Sequence, residues 1–225
     1  GSVQGIAGWP RTTRAYTHGH VLDIVSRQKA LNFAPGTQWS YSNTGFNLAA
    51  IIVSRVSGMP FAEFSTTRMF APLGMTHTSW RDDHTRIVKG RAIAYSSGAD
   101  GFRLEMPFEN VHGNGGLLTT VGDLLKWNEN YVTPTVGDRA VVMTQQTVGH
   151  FNDGRDLDYG LGLYVNDYRG VRNVYHSGST AGYRAHLNRF PDVHTSVAVL
   201  CNVSSGEATR SANLSTPSST GRMND

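Results

Sequence analysis

The stretch "YGLGLYVNDYRGVRNVYHSGSTAGYRAHLNRFPDVHTSVAVLCN", residues 159–202, decides the fold because its apolar side chains alternate with polar ones. Such alternation predicts half-buried β-strands. Short turns such as Arg169-Gly170 and Pro191-Asp192 separate the runs, which favours an antiparallel meander. The four predicted strands occupy 159–168, 170–176, 182–190 and 195–202.

The chain before this stretch has the apolar spacing of helices. One helix is predicted over 20–31. A second follows Ser42 or Asn43, either of which can cap it, and ends at Gly58. A third begins near Pro60, and residues 76–112 are predicted to be loops and short strands. Helices followed by strands indicate an α+β fold.

Composition excludes several classes of protein. The net charge of +3 comes from dispersed lysines and arginines, so no nucleic-acid surface is expected. No run is long or apolar enough to predict a membrane span. The pair His18 and His20 lacks the other ligands of a zinc motif, so no metal or other cofactor is expected. One domain is predicted over 1–203, and the Ser/Thr/Pro-rich residues 204–225 are predicted to be a disordered tail.

Five motifs carry a family resemblance. They are "FAPGTQWSYSN" (33–43), the helix that ends at Ser57-Gly58, "APLGMTHT" (71–78), "GGLLTTVGDLLKW" (115–127) and "HSGSTAGYRA" (176–185). In this order the chain resembles the serine β-lactamase and penicillin-binding-protein family, in its class C, DD-peptidase, D-aminopeptidase and esterase-like branch. The resemblance covers about residues 20 to 203. It implies a β-lactamase/transpeptidase-like fold and acyl transfer through a serine ester.

The resemblance also implies roles for named residues. Tyr41 would be the catalytic phenol that relays protons, and Asn43 would bind the substrate amide. His176 and Ser177 would line the side of the substrate carboxylate. The remaining substrate-binding residues would be Gly178, against which the substrate backbone lies, and Ser179, whose N–H would donate to the oxyanion.

The family's Ser-x-x-Lys is not recognisable in its usual place, at the start of a central helix well before the Tyr-x-Asn. The literal match Ser26-Arg27-Gln28-Lys29 lies in a charged stretch and is interpreted as a solvated helix face. The nucleophile is therefore expected outside this chain, and the N-terminal strands and last helix of the fold are expected to be missing, unless the segment after 203 takes the place of that helix.

Two hypotheses on function follow. The first is a serine acyl-hydrolase acting on D-amino-acid peptides, amides or small esters, with weak or no β-lactam hydrolysis because "HSG" replaces "KTG". A histidine at position 176 would attract a carboxylate less as pH rises. The alternative is a non-catalytic or truncated binding protein, whose incomplete sheet would expose an edge for a second copy or a partner chain. Export is usual in the family, but no signal peptide is visible, and localisation stays open.

Overall fold

The computed structural model describes residues 16–214. Its helices are His18–Ser26 (α1), Asn43–Ser57 (α2), Phe61–Ser65 (α3), Val121–Glu129 (α4), Arg139–Gln145 (α5) and Ala208–Leu214 (α6), and a π-helical turn, Thr66–Phe70, continues α3. The strands are Ser79–Trp80 (β1), Tyr95–Gly98 (β2), Gly101–Leu104 (β3), Leu117–Leu118 (β4), Tyr164–Tyr168 (β5), Val171–Thr180 (β6), Tyr183–Phe190 (β7) and Thr195–Cys201 (β8). The α+β prediction is confirmed.

The main sheet is the predicted antiparallel meander, with strand order β5-β6-β7-β8. Two smaller antiparallel pairs, β1 with β4 and β2 with β3, complete the sheet structure of the described residues. Strand β8 pairs with β7 on one side, and no strand within 16–214 pairs with its other side. The exposed edge expected from the sequence is therefore present in the described part of the chain.

Two predicted elements are shorter than expected. The first helix ends at Ser26 rather than near 31, because the N–H groups of Arg27 and Gln28 close a tight last turn on the carbonyls of Ile24 and Val25. The strand predicted from 159 begins at Tyr164. Residues 160–162 instead form a turn, in which Gly162 adopts a φ of +88° that favours glycine.

The second helix starts and ends as predicted. The Ser42 hydroxyl accepts a hydrogen bond from the Gly45 N–H at 3.2 Å, and Gly58 ends the helix with a φ of +70°. Its apolar stripe is buried only in part: Ala50 is buried, whereas Val56 is 83% exposed. The far end of this helix therefore lies at the surface of the described structure.

The segment after residue 203 was predicted to be a disordered tail, but its first part forms a helix. Residues 204–214 are ordered, because α6 packs on β7 and β8 with Ala208 and Ala212 buried. The Thr209 hydroxyl lies 3.0 Å from Nδ1 of buried His186, which ties the helix to β7. The burial of two alanines and one polar contact thus stabilise a helix in a segment whose composition is typical of a loop. The rest of the predicted tail, 215–225, lies outside the described residues.

The turn between β6 and β7 is fixed by close contacts. The Gly182 N–H donates to the Glu105 carbonyl at 3.0 Å, and Tyr183 donates its hydroxyl to the Ala92 carbonyl at 2.5 Å. A Cβ on Gly182 would lie 2.5 Å from the Tyr95 backbone nitrogen, which leaves no room for a side chain. These contacts hold the β6–β7 hairpin against the segment 92–106.

No single helix within 16–214 is long and apolar enough to cross a membrane. One pair of consecutive helical segments, Asn43–Ser57 and Phe61–Phe70, is together long and apolar enough, but the two are bent by 81° at their junction.

We expect Gly182→Ala to lower the free energy of unfolding by ~1–3 kcal/mol, because the added methyl overlaps rigid backbone at Tyr95. Urea denaturation measures this loss. Gly98→Ala is the control, because nothing lies within 4 Å of a Cβ at that position. Equal stability of the two variants would contradict the close packing described for the hairpin turn.

Candidate active site

Tyr41 is placed by the start of helix α2. Ser42 is the N-cap, so Tyr41 precedes the cap and Phe46 is the fourth helical residue. Their rings lie 5.9 Å apart between centroids, which is the hydrophobic staple that fixes the angle at which a chain enters a helix. The local sequence "YSNTGF" therefore sets both the helix start and the direction of the Tyr41 ring.

The turn before Tyr41 is tied to a distant loop. The Asn152 N–H donates to the Gly36 carbonyl at 2.9 Å, and its side-chain amide donates to the Pro35 carbonyl at 3.1 Å. This double contact anchors the Pro35-Gly36 turn and thereby the approach of residues 37–41.

The strand edge opposite Tyr41 has no strand partner within the described residues. Pairing between β5 and β6 ends at Tyr164 opposite Tyr175, whereas β6 runs on to Thr180. Residues 176–180 pair only with β7 on their other side. Since the chain turns away at 160–162, no strand within the described residues covers this edge. The strand predicted to end at His176 runs on to Thr180, so Ser177, Gly178 and Ser179 lie within β6 rather than in the turn after it.

One cavity of about 930 Å³ brings the predicted residues together. Its walls include all six: Tyr41, Asn43, His176, Ser177, Gly178 and Ser179. The structure therefore unites the Tyr-x-Asn turn and the sheet edge in one cleft. Their assigned roles remain predictions.

Other residues of the cleft were not singled out from the sequence. They are Asn114, Tyr164, Tyr168, Arg184, Ala185, and the segment from Gly206 to Arg210 at the start of α6. Asn114 belongs to the "GNGG" segment, residues 113–116. The start of α6 had no sequence signal, because its composition resembles a tail.

The Tyr41 hydroxyl has no hydrogen-bond partner among residues 16–214, and its ring is half-buried between Phe46, Tyr159 and His176. Burial raises the pKa of the Tyr41 phenol, and the nearby Tyr164 raises it further. The phenol is therefore neutral at pH 7. A cation beside it would be needed to favour the phenolate.

His176 is a neutral wall of the cleft. Its Nδ1 lies 2.7 Å from the Ser177 carbonyl, to which it donates, and its Nε2 lies 3.3 Å from the Tyr159 hydroxyl. Burial lowers the pKa of His176 below 6.5, and the hydrogen bond to the Ser177 carbonyl opposes that shift. The imidazole is thus uncharged at pH 7, and it attracts a carboxylate as a cation only under acidic conditions.

Arg184 supplies the positive charge that His176 lacks. It lies on β7 opposite Ser179, and its guanidinium donates to the carbonyls of Ala181 and Tyr183, both at 2.8 Å. No carboxylate within the described residues pairs with it. The other cleft arginine, Arg210, forms an ion pair with Glu207 at 3.1 Å. Arg184 is therefore the cleft cation whose charge is not already balanced.

The Ser26-x-x-Lys29 match is remote from this cleft. Ser26 is exposed, its hydroxyl donates to the Asp23 carbonyl at 2.9 Å, and neither Ser26 nor Lys29 lines the cavity. The walls within 16–214 contain Ser177 and Ser179 but no lysine. The described part of the cleft thus lacks a serine–lysine pair.

The histidines considered for zinc make other contacts. Nε2 of His18 lies 2.7 Å from the His112 carbonyl, while Nδ1 of His20 accepts from the Thr17 N–H at 3.1 Å. Within residues 16–214, no three His, Cys, Asp or Glu side chains are grouped as metal ligands.

We expect the His176 ring to titrate with a midpoint below 6.5. The fold favours the neutral ring, so the stability that His176 contributes to the folded state is fully present above pH 6.5. That stability is lost as the pH falls through the lowered pKa of His176. Histidine Cε1–H NMR signals followed against pH measure the midpoint. Tyr159→Phe should raise it by removing the donor to Nε2, whereas Tyr95→Phe should not. A midpoint above 6.5 would mean that the imidazole is cationic in the cleft.

The sequence is similar to that of several known proteins. A D-aminopeptidase from Gluconobacter oxydans (strain 621H) is 28% identical over 193 residues, which cover 85% of this chain and 36% of the relative. Penicillin-binding protein 4* from Bacillus subtilis (strain 168) is 28% identical over 212 residues, covering 87% of this chain and 47% of that protein. The chain thus spans less than half the length of these relatives.

A solved structure agrees with the fold. The octameric penicillin-binding protein homologue from Pyrococcus abyssi superimposes with a TM-score of 0.79 and 26% identity, over 94% of this chain and 49% of that one. The family model for Beta-lactamase matches residues 5–215, which is nearly the whole sequence. The chain belongs to the beta-lactamase family, in agreement with the cleft that unites Tyr41-x-Asn43 with His176-Ser177-Gly178.

Proposed function

We propose that this chain forms two walls of a serine acyl-transfer site that hydrolyses amide or ester bonds. The observation that carries the proposal is the single cavity lined by Tyr41 and Asn43 on one side and by His176, Ser177 and Ser179 on the other. A substrate held along the β6 edge would lie between them. D-Amino-acid peptides, amides or small esters are the proposed substrates, rather than β-lactams.

The proposed chemistry assigns one task to each wall. A serine oxygen attacks the substrate carbonyl, and the Ser179 N–H, on the free edge of β6, donates to the developing oxyanion. The Tyr41 phenol passes the serine proton to the leaving group. Since burial and Tyr164 raise its pKa, this transfer needs a cation that stabilises the phenolate. Asn43 holds the substrate amide.

We infer that the serine and the cation come from outside residues 16–214. This inference is supported by the cleft walls, which contain no lysine, and by the exposed position of Ser26. A lysine one helical turn after the serine would supply both the base for the hydroxyl and the charge beside Tyr41.

The substrate class is supported by two observations. The relatives that match are named D-aminopeptidase and penicillin-binding protein 4*. The cleft also carries a neutral His176 where a β-lactamase of the family carries a permanently charged lysine, so a β-lactam carboxylate would lose the cation at that position at neutral pH. Because the chain matches less than half of each relative, we propose this activity for a protein that also contains the remaining part of the site.

The second candidate is a non-catalytic binding protein. The observation that favours it is the outer edge of β8, which no strand within the described residues covers. A free edge offers backbone hydrogen bonds to a second copy or to a partner chain. The octameric state named for the Pyrococcus homologue shows that a related protein assembles.

Covalent labelling tests whether this chain itself carries the nucleophile. We expect this chain alone to form no stoichiometric adduct with a fluorophosphonate or a fluorescent penicillin in an intact-mass measurement, while remaining folded by circular dichroism. An adduct that Ser26→Ala abolishes would place the nucleophile at Ser26 and contradict the proposed origin of the serine.

Reading the coding sequence on both sides of the chain tests the same proposal. If it encodes a Ser-x-x-Lys segment, we expect the protein that carries it to be acylated. In that protein Tyr41→Phe should slow acylation by ~10²–10⁴-fold, because the phenol relays the proton while the ring keeps its packing on Phe46. Tyr95→Phe, outside the cleft, is the matched control. Unchanged acylation by Tyr41→Phe would remove Tyr41 from the mechanism, and a folded protein with no acylation at all would favour the binding candidate.

A further inference from the structure

Helix α6 depends on the sheet for its stability. It has seven residues, Ala208–Leu214, whereas isolated helices shorter than about 12–15 residues are marginal in water. It packs on β7 and β8 through Ala208 and Ala212, which are both buried. Alanine side chains bury little apolar area, so this contact is weak. The docked position of α6 is therefore sensitive to the groups that lie beneath it.

The imidazole of His186 lies beneath α6. His186 is 2% exposed, and its Nδ1 lies 3.0 Å from the Thr209 hydroxyl of the helix. Its ring stacks on the ring of Tyr175 on β6, with 5.4 Å between the centroids. Its Nε2 is buried and has no hydrogen-bond partner within residues 16–214. The ring is therefore enclosed by β6, β7 and α6, with one nitrogen unsatisfied.

The strands around His186 contribute no carboxylate among their described residues. Strand β6 contributes the Tyr175 phenol and, on its other face, the neutral imidazole of His176. Strand β7 contributes Arg184, two residues before His186 and on the same face of the sheet. Strand β8 contributes the Cys201 thiol, which lies opposite Arg184. The charged neighbour that these strands place on this face is thus a cation.

The start of α6 does not supply a partner for a charged imidazole either. Glu207 forms an ion pair with Arg210 at 3.1 Å, and both side chains are mostly exposed. A protonated His186 carries N–H groups on both ring nitrogens, and the one at Nε2 would have no acceptor in hydrogen-bonding geometry within 16–214. Burying this cation is therefore costly, because its charge would be neither paired nor fully hydrogen-bonded.

We propose that α6 is an acid-released wall of the cleft, held on the sheet while His186 is neutral and freed when that imidazole takes up a proton. The segment from Gly206 to Arg210 lines the 930 Å³ cavity, so the release of α6 opens the cleft on this side. This device is independent of the proposed function, because the same wall borders the cleft of an enzyme or of a binding protein.

The direction of the pH effect follows from burial. Burial lowers the pKa of His186 in the docked form, the nearby His176 lowers it further, and the side chain of Asn188 opposes these effects. In the released form the ring is in water, where a histidine has a pKa of about 6.5. The released form therefore binds the proton more tightly. As pH falls from about 6.5 toward the lowered pKa, each pH unit should raise the equilibrium constant for release ~10-fold.

Amide hydrogen exchange of the full chain tests this proposal. The N–H groups of Ser211, which donates to the Glu207 carbonyl at 2.9 Å, and of Ala212 are followed by NMR between about pH 8 and about pH 5. After correction for intrinsic exchange, we expect constant protection above about pH 6.5 and a ~10-fold loss per pH unit below it. The amides of Val174 and Leu187 in the central strands should stay protected. Equal loss there would mean global unfolding and would contradict a separate release of α6.

Two variants and one control identify the group that titrates. His186→Gln is neutral at every pH, so its α6 protection should not change with pH. Thr209→Val removes the hydroxyl contact, so it should lower the protection at about pH 8 and keep the ~10-fold change per unit below pH 6.5. His150→Gln changes an exposed histidine that does not line the cavity, and it should behave like the wild type.

Three results would overturn the proposal. The first is wild-type protection of α6 that does not change with pH, and the second is a His186→Gln variant that keeps the wild-type pH dependence. The third needs no variant: a His186 Cε1–H signal in the wild type that titrates with a midpoint at or above about 6.5 would show that docking of α6 does not disfavour the charged ring.

Discussion

The unpaired edge of β6 between His176 and Thr180 is the constraint on which the site depends. Strand β5 stops pairing at Tyr164, because the turn at 160–162 takes the preceding chain away from the sheet. Within residues 16–214, five residues of β6 therefore have one row of backbone groups without a strand partner, while β7 pairs with the other row. Filling that edge with another strand of the same chain would remove the cleft. The glycine-rich turn is thus as important to the site as the polar residues that line it.

Several residues serve local folding and the site together. Tyr41 packs on Phe46 as the staple of α2 and presents its phenol to the cleft. The Ser42 cap fixes the helix start, which places Asn43 at the first helical position on the cleft wall. Ordinary helix-start signals therefore orient the proposed chemistry.

The sequence predicted the meander and the caps of α2, because alternation and capping chemistry are local signals. The family resemblance named six residues that one cavity brings together, and their roles stay predictions. The sequence did not predict α6, because that helix is held by tertiary contacts of Ala208, Ala212 and Thr209 rather than by composition. The role of 160–162 was missed because glycine between apolar residues is compatible with a strand. Arg184 was missed because an unbalanced charge is visible only once the partners of its neighbours are known.

The start of α6 has a practical consequence for anyone producing this protein. A domain boundary placed at residue 203 on compositional grounds would delete a wall of the cleft and would uncover His186, which Thr209 now contacts and α6 shields from water. Such a shortened chain would expose apolar surface on β7 and β8 and would be prone to aggregate during purification. The functional unit of this sequence therefore extends at least through the helix that ends at Leu214.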